Sequence, residues 1–196
     1  MKKSTAKRYE AVVLGVSAGG LNALRLLLPA LKPDFSLPLV IVQHQHPAAD
    51  DFLVRYLNNL CPLFVKQAED KEEVRSGIVY LAPPDYHLLV EMDRFFSLSV
   101  DPPVNYARPA IDVLFATAAD TYGSALIGVI LTGASNDGSE GLKQIKQKGG
   151  LTIVQDPDTA EVDFMPRAAL SAAGADYLLP LEQIAPLLNK LAGTAS

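Results

Sequence analysis

Short runs of consecutive apolar residues alternate along this chain with stretches where apolar residues recur every three or four positions. The first pattern predicts strands buried on both faces, and the second predicts helices with one covered face. Residues 10–16 form a valine-rich run that stops at Ser17-Ala18-Gly19-Gly20. Leu21, Leu24, Leu27, Leu28 and Leu31 follow at helical spacing, with Pro29 placed to end or kink that helix. Residues 38–42 predict a second strand. Asp50 is placed to cap a helix whose Phe52, Leu53, Tyr56, Leu57 and Leu60 share one face.

The middle of the chain reads differently. Residues 78–82, 87–91 and 95–100 predict three short strands joined by tight turns, with Pro83-Pro84-Asp85 as the first turn signal. Together they read as an antiparallel excursion. Helical spacing returns in Ile111, Leu114, Phe115, Ala118 and Tyr122, and a strand over 125–131 follows. Leu142 and Ile145 mark a helix, 151–154 a strand, 166–173 a helix with proline in its first turn, and 177–179 a last strand before a closing helix. This alternation predicts a doubly wound α/β domain, with a mainly parallel sheet, helices on both faces and a short antiparallel excursion. The longest irregular connection, residues 101–109, is too short for a domain boundary but has the length of a functional loop. The chain therefore reads as one domain over 1–196, with its core from about 11 to about 191.

Composition agrees with that picture. A chain of 196 residues, 49% hydrophobic and 20% charged, can bury a full core without metals or disulfides to staple it. Its single cysteine, Cys61, allows no internal disulfide and reads as a small buried apolar residue. A formal net charge of −5 argues mildly against nucleic acid as a partner, and Lys143, Lys146 and Lys148 read as a solvated face. The basic leader, Lys2-Lys3 to Lys7-Arg8, precedes an apolar run too short for a secretion signal. No apolar run approaches the ~20 residues of a membrane helix. The expectation is a cytoplasmic protein that is not itself inserted in a membrane.

In open α/β sheets ligands bind outside the carboxyl ends of the strands. Three such ends carry chemistry here: Gly15-Val16-Ser17-Ala18-Gly19-Gly20, Gln43-His44-Gln45-His46, and Thr132-Gly133-Ala134-Ser135-Asn136-Asp137-Gly138. They bring a serine, a histidine and an aspartate to one side of one sheet, the set that nucleophilic acyl transfer requires. Gly15-x-Ser17-x-Gly19 matches a strand-turn-helix nucleophile elbow, in which small residues leave the hydroxyl exposed. The helix N-terminus behind Ser17 favours negative charge, so backbone N–H groups of the following residues, Ala18 and Gly19, are candidate oxyanion donors.

Each residue also has a plainer reading. A Gly-rich turn after a first strand commonly holds phosphates, but the dinucleotide fingerprint wants an acidic residue at the end of the second strand, and His44 stands there. A strand-end histidine is often structural. His46 competes with His44 as base, although Pro47 assigns it to the outgoing loop, and the pair lacks the third ligand that a metal site needs. His87 receives no role. Asn136-Asp137-Gly138 is also a turn sequence, in which Asp137 would accept backbone hydrogen bonds. The order Ser, His, Asp differs from the Ser, Asp, His of α/β-hydrolases, so a triad here sits on another topology.

Taken together, these segments resemble the catalytic domain of the chemotaxis protein-glutamate methylesterases, the CheB type. Further matches are Ala82-Pro83-Pro84-Asp85-Tyr86-His87, Arg108-Pro109-Ala110-Ile111-Asp112, Gln155-Asp156-Pro157 and Met165-Pro166-Arg167-Ala168-Ala169, in family order over nearly the whole chain. The resemblance implies a mainly parallel doubly wound sheet and hydrolysis of glutamate γ-methyl esters on membrane chemoreceptors, giving glutamate and methanol. In many members it also implies deamidation of receptor glutamines. It implies Ser17, His44 and Asp137 as the catalytic triad, a further backbone donor at Ala134, a methylated receptor as partner, and neither metal nor organic cofactor. The chain departs from the family at Ala18, where threonine is frequent, and at Ala134, where methionine is frequent. With about ten residues before the first strand, it reads as a stand-alone member without a receiver domain, or as one trimmed from a longer chain. The alternative from another class is a nucleotide- or partner-binding regulatory module with a degenerate, inactive esterase site.

Overall fold

The computed structural model describes residues 7–193. Seven parallel strands form the main sheet: β1 (Ala11–Val16), β2 (Leu39–Gln43), β3 (Phe64–Gln67), β4 (Ile78–Leu81), β7 (Leu126–Ile130), β8 (Leu151–Gln155) and β9 (Tyr177–Leu179). Their spatial order is β3-β4-β2-β1-β7-β8-β9. The chain thus begins at the centre, winds outward through β2, and returns to build the other half from β7. The place where the winding reverses, between β2, β1 and β7, is where an open sheet of this kind leaves a crevice at its carboxyl edge.

The side-chain period of two in β1 explains the layers. Val12, Leu14 and Val16 point to one face and Ala11 and Val13 to the other, all fully buried. On the first face pack α1 (Gly20–Leu27), α2 (Phe52–Leu60) and α6 (Leu181–Ala192), through Leu24, Leu27, Leu57, Ile184 and Leu188. On the second pack α3 (Ile111–Tyr122), α4 (Ser139–Gln147) and α5 (Phe164–Ala173), through Ile111, Leu114, Phe115, Ile145 and Met165. The doubly wound sheet with helices on both faces is as the alternation predicts.

The antiparallel excursion is smaller than expected. Among the strands of the described residues, only β5 (His87–Val90) and β6 (Phe96–Ser99) pair antiparallel, as a separate hairpin whose Leu88, Val90 and Phe96 join the second core. Ile78–Leu81, expected to belong with them, lies in the parallel sheet between β2 and β3. β3 itself has no counterpart in the sequence reading. It is four residues long at the sheet edge with Phe64 exposed, so neither a long apolar run nor clean alternation marks it. In α2 the expected shared face is only partly used. Leu57 is buried while Phe52 and Leu60 are exposed, and the capping position is Asp51, although the Asp50 carboxylate accepts the Phe52 N–H at 3.0 Å. Leu21, expected on the covered face of α1, is likewise exposed. Cys61 is half-buried, its thiol pKa raised by burial.

Candidate active site

The hydrogen-bond ladder between the central strands continues past their ends. The His44 N–H reaches the Val16 carbonyl at 3.1 Å, and the Ser17 N–H reaches the Thr132 carbonyl at 3.0 Å. Ser17 is therefore held between the ends of β2 and β7 by the same interactions that build the sheet. The Gln43 side-chain amide donates to the carbonyls of both Ser17 and His44, at 3.0 Å each, and so ties the serine turn to the histidine.

The two glycines flanking Ser17 have different duties. Gly19 has φ +78°, the left-handed conformation that lets the chain turn into α1. Gly15 has no such requirement. A Cβ there would come within 2.4 Å of Ile111, so Gly15 serves the close approach of α3 to the sheet rather than the turn.

The three predicted groups meet. His44 Nδ1 lies 3.1 Å from Ser17 Oγ, and His44 Nε2 lies 2.8 Å from Asp137 Oδ2. The nitrogens are used in the reverse sense from the chymotrypsin arrangement, where Nε2 faces the serine and Nδ1 the aspartate. His46 is exposed and accepts the Ala48 N–H at its Nδ1, within the outgoing loop as expected.

Asp137 is fully buried and accepts four hydrogen bonds. Oδ2 takes His44 Nε2 and the Ile111 N–H at 2.6 Å, and Oδ1 takes the Asp112 N–H and Asn105 Nδ2, both at 3.1 Å. Ile111 and Asp112 open α3, whose capping position is Ala110 and offers no side-chain bond. The aspartate thus caps a helix from another part of the chain. Asp137 is at once a backbone acceptor and a hydrogen-bond partner of His44. Burial alone would raise its pKa, but the bonds from His44, Ile111, Asp112 and Asn105 prevail and hold it below the ordinary 3.8. Neighbouring Asp112 moves the other way. Burial and the nearby Asp137 charge raise its pKa, only partly offset by hydrogen bonds from Gly141, Asn105 and Gly138.

The irregular segment 101–109 forms one wall of the site. Above His44 opens a cavity of about 410 Å³, lined by His44, Gln45, Asp85, Asn105, Tyr106 and Arg108 among others. His87, assigned no role from sequence, is buried and pins both ends of this loop. Its Nδ1 accepts the Ala110 N–H at 3.2 Å, and its Nε2 bonds the Pro102 carbonyl at 3.1 Å. Arg108 ties the loop to Asp85 at 2.6 Å and to the Val100 and Asp101 carbonyls.

Opposite, the segment bearing Ala134 runs against Ser17. A Cβ on Gly133 would lie 3.0 Å from the Ser17 Cβ. This segment is fixed by Gly133 to Val162 and Met165 to Gly133 backbone bonds, while the Thr132 hydroxyl lies 2.9 Å from the Ala18 carbonyl.

The family model of the CheB methylesterases matches residues 12–188. The chain belongs to the CheB methylesterase family. A relative in Leptospira interrogans serogroup Icterohaemorrhagiae serovar copenhageni (strain Fiocruz L1-130) is provisionally described as a protein-glutamate methylesterase/protein-glutamine glutaminase. It is 55% identical over 183 residues, covering 93% of this chain and 95% of that protein. The protein-glutamate methylesterase/protein-glutamine glutaminase of Thermotoga maritima (strain ATCC 43589 / DSM 3109 / JCM 10099 / NBRC 100826 / MSB8) is 40% identical over 183 residues, covering 92% of this chain but 53% of that protein. The crystal structure of the Thermotoga maritima CheB methylesterase catalytic domain superposes with a TM-score of 0.89 at 39% identity, covering 93% of this chain and 98% of that domain. Beside Ser17, His44 and Asp137 the structure places groups that the sequence alone does not reveal: the Gln43 amide, the Asn105 amide and the first-turn N–H groups of α3. The Arg108-Pro109-Ala110-Ile111-Asp112 match and the helical spacing that starts at Ile111 are the sequence signals for that helix end.

Proposed function

We propose that this chain is a protein-glutamate methylesterase that hydrolyses glutamate γ-methyl esters on a methylated chemoreceptor, releasing glutamate and methanol. The observation that carries this is the unbroken hydrogen-bonded series Ser17–His44–Asp137, assembled from three neighbouring strand ends. It supports the following roles. The Ser17 hydroxyl attacks the ester carbonyl while His44 Nδ1 takes its proton. The negative charge that develops on the carbonyl oxygen faces the N–H groups of Ala18, Gly19 and Ala134. Collapse breaks the bond to the methoxy oxygen, which receives the proton from His44 and leaves as methanol. Water, deprotonated by the same imidazole, then cleaves the acyl-serine to give the glutamate carboxylate and restore Ser17. Asp137, ionised across the working pH range, stabilises the imidazolium formed in each half.

With a side-chain amide in place of the ester the same steps expel ammonia, so receptor glutamine deamidation is the accompanying activity. Among the described residues no helix is long and apolar enough to cross a membrane. On this reading the chain meets the receptor's cytoplasmic portion. The alternative of a degenerate site is disfavoured because serine, base and acid are all retained in bonding register.

Methanol release from methylated receptor tests the proposal. The chain should release methanol, and Ser17→Ala should lower kcat on the order of 10⁶-fold. A wild-type chain that binds methylated receptor without releasing methanol, or a Ser17→Ala variant with undiminished turnover, refutes it.

A further inference from the structure

Two carboxyl groups, Asp112 and Asp137, lie side by side beneath the cavity wall, and one side chain joins them. Asn105 Nδ2 donates to Asp112 Oδ2 at 2.8 Å and to Asp137 Oδ1 at 3.1 Å. Both amide hydrogens are thereby used on carboxylates. The amide orientation is dictated, since an oxygen turned this way would face two anionic acceptors. The backbone selects the same residue type independently. Asn105 has φ 51°, in the left-handed region where asparagine is among the few tolerated side chains.

The other carboxylate oxygens accept bonds as well. Asp112 Oδ1 takes the Gly141 N–H at 2.7 Å, and Asp137 takes Ile111, Asp112 and His44. The charged and titratable groups facing this pair are thus His44, from the end of β2, and each other. Asn105 is the side-chain donor between them.

We infer that Asn105 is a positioning residue for catalysis, bridging Asp112 to Asp137 so that Asp137 presents Oδ2 to His44. This rests on the triad reading above. Without the bridge, buried Asp137 and partly buried Asp112 face each other with no side-chain donor between them, and Asp137 Oδ1 keeps only the Asp112 N–H. Like-charge repulsion then turns the Asp137 carboxylate away from His44, and the imidazole loses its fixed orientation toward Ser17. In this role the Asn105 amide acts through the two carboxylates rather than on Ser17, so its effect falls on the chemical step. Misplacement of a catalytic group by about 1 Å can cost ~10²-fold.

The test is a double-variant cycle around the bridge. Asn105→Gly keeps the left-handed backbone and removes the amide. It should lower kcat about 10–100-fold with KM changed less than about threefold. Asp112→Asn alone sets its NH₂ against either the Asn105 amide or the Gly141 N–H and should also lower kcat. In the Asn105→Gly background the same change replaces the repelling carboxylate with a donor, so it should raise kcat. This inversion of sign is the signature of bridging, which a merely structural role would not produce. Equal losses that simply add, or a KM effect without a kcat effect, overturn the inference.

A second readout does not depend on turnover. The proton between His44 Nε2 and Asp137 should give a downfield proton resonance in the wild-type chain that is shifted or broadened in Asn105→Gly and restored in Asn105→Gly/Asp112→Asn. An unchanged resonance in Asn105→Gly sinks the positioning role. If wild type releases no methanol while the resonance responds as stated, the esterase reading fails and the positioning role stands.

Discussion

At the scale of single residues, the site turns on which imidazole faces Ser17. His44 and His46 are two positions apart in sequence, yet only His44 touches both Ser17 and Asp137, while His46 bonds its own loop. Kinetics of methanol release should therefore show a loss of several orders of magnitude in kcat for His44→Ala and a change within about twofold for His46→Ala. A dead His46→Ala with an active His44→Ala would reverse the assignment. The reversed use of the ring nitrogens follows from where the backbone puts the ring. His44 leaves β2 at the ladder's last bond to Val16, so Nδ1 meets the neighbouring strand end and Nε2 points across toward the loop after β7.

At the scale of elements, Asp137 belongs to α3 as much as to the proposed triad. It satisfies two first-turn N–H groups of a helix whose own capping residue, Ala110, cannot do so. Asp137→Ala leaves those buried donors orphaned and should destabilise the chain by about 2–4 kcal/mol in chemical denaturation. Asp137→Asn retains an acceptor oxygen and should cost less in stability while still lowering kcat by roughly 10⁴-fold. An Asp137→Ala chain as stable as wild type would show that the cap contributes nothing. Gly15 belongs to the same arrangement, since its missing Cβ is what lets Ile111 bring the helix end to the sheet.

For the whole molecule, the paired carboxyls give stability a two-part dependence on pH. Asp112 has a folded pKa above the ordinary 3.8. As pH falls from neutral through that raised value toward 3.8, the folded state takes up the proton first, and stability rises. Asp137 has a folded pKa below 3.8. Its stabilisation is complete above 3.8 and is lost as pH falls further, through its depressed folded value. Urea midpoints measured from neutral pH down to about pH 3 should show this pattern, with Asp112→Asn reducing the rise and Asp137→Asn reducing the fall. A wild-type profile that Asp137→Asn leaves unaltered below 3.8 would contradict the assignment of that arm.

The sequence by itself determined the parts that depend on periodicity and on strand ends. Fully apolar runs such as Val12 to Val16 specify central strands, because both their faces need cover, and helical spacing from Ile111 to Tyr122 specifies a buried helix. Once those strands are parallel and adjacent, Ser17, His44 and Asp137 must emerge on one edge, so the three groups were legible together. Tertiary structure alone decided the rest. β3 pairs at an edge where little burial is demanded of it, and Ile78–Leu81 chose the parallel sheet because its partners lay there. Asn105, Gln43 and His87 act through hydrogen bonds to groups between 1 and 32 residues away. No local pattern encodes such bonds, because a side-chain amide or imidazole acquires its meaning only from the carbonyls, amides and carboxylates that folding brings within 3 Å or so of it.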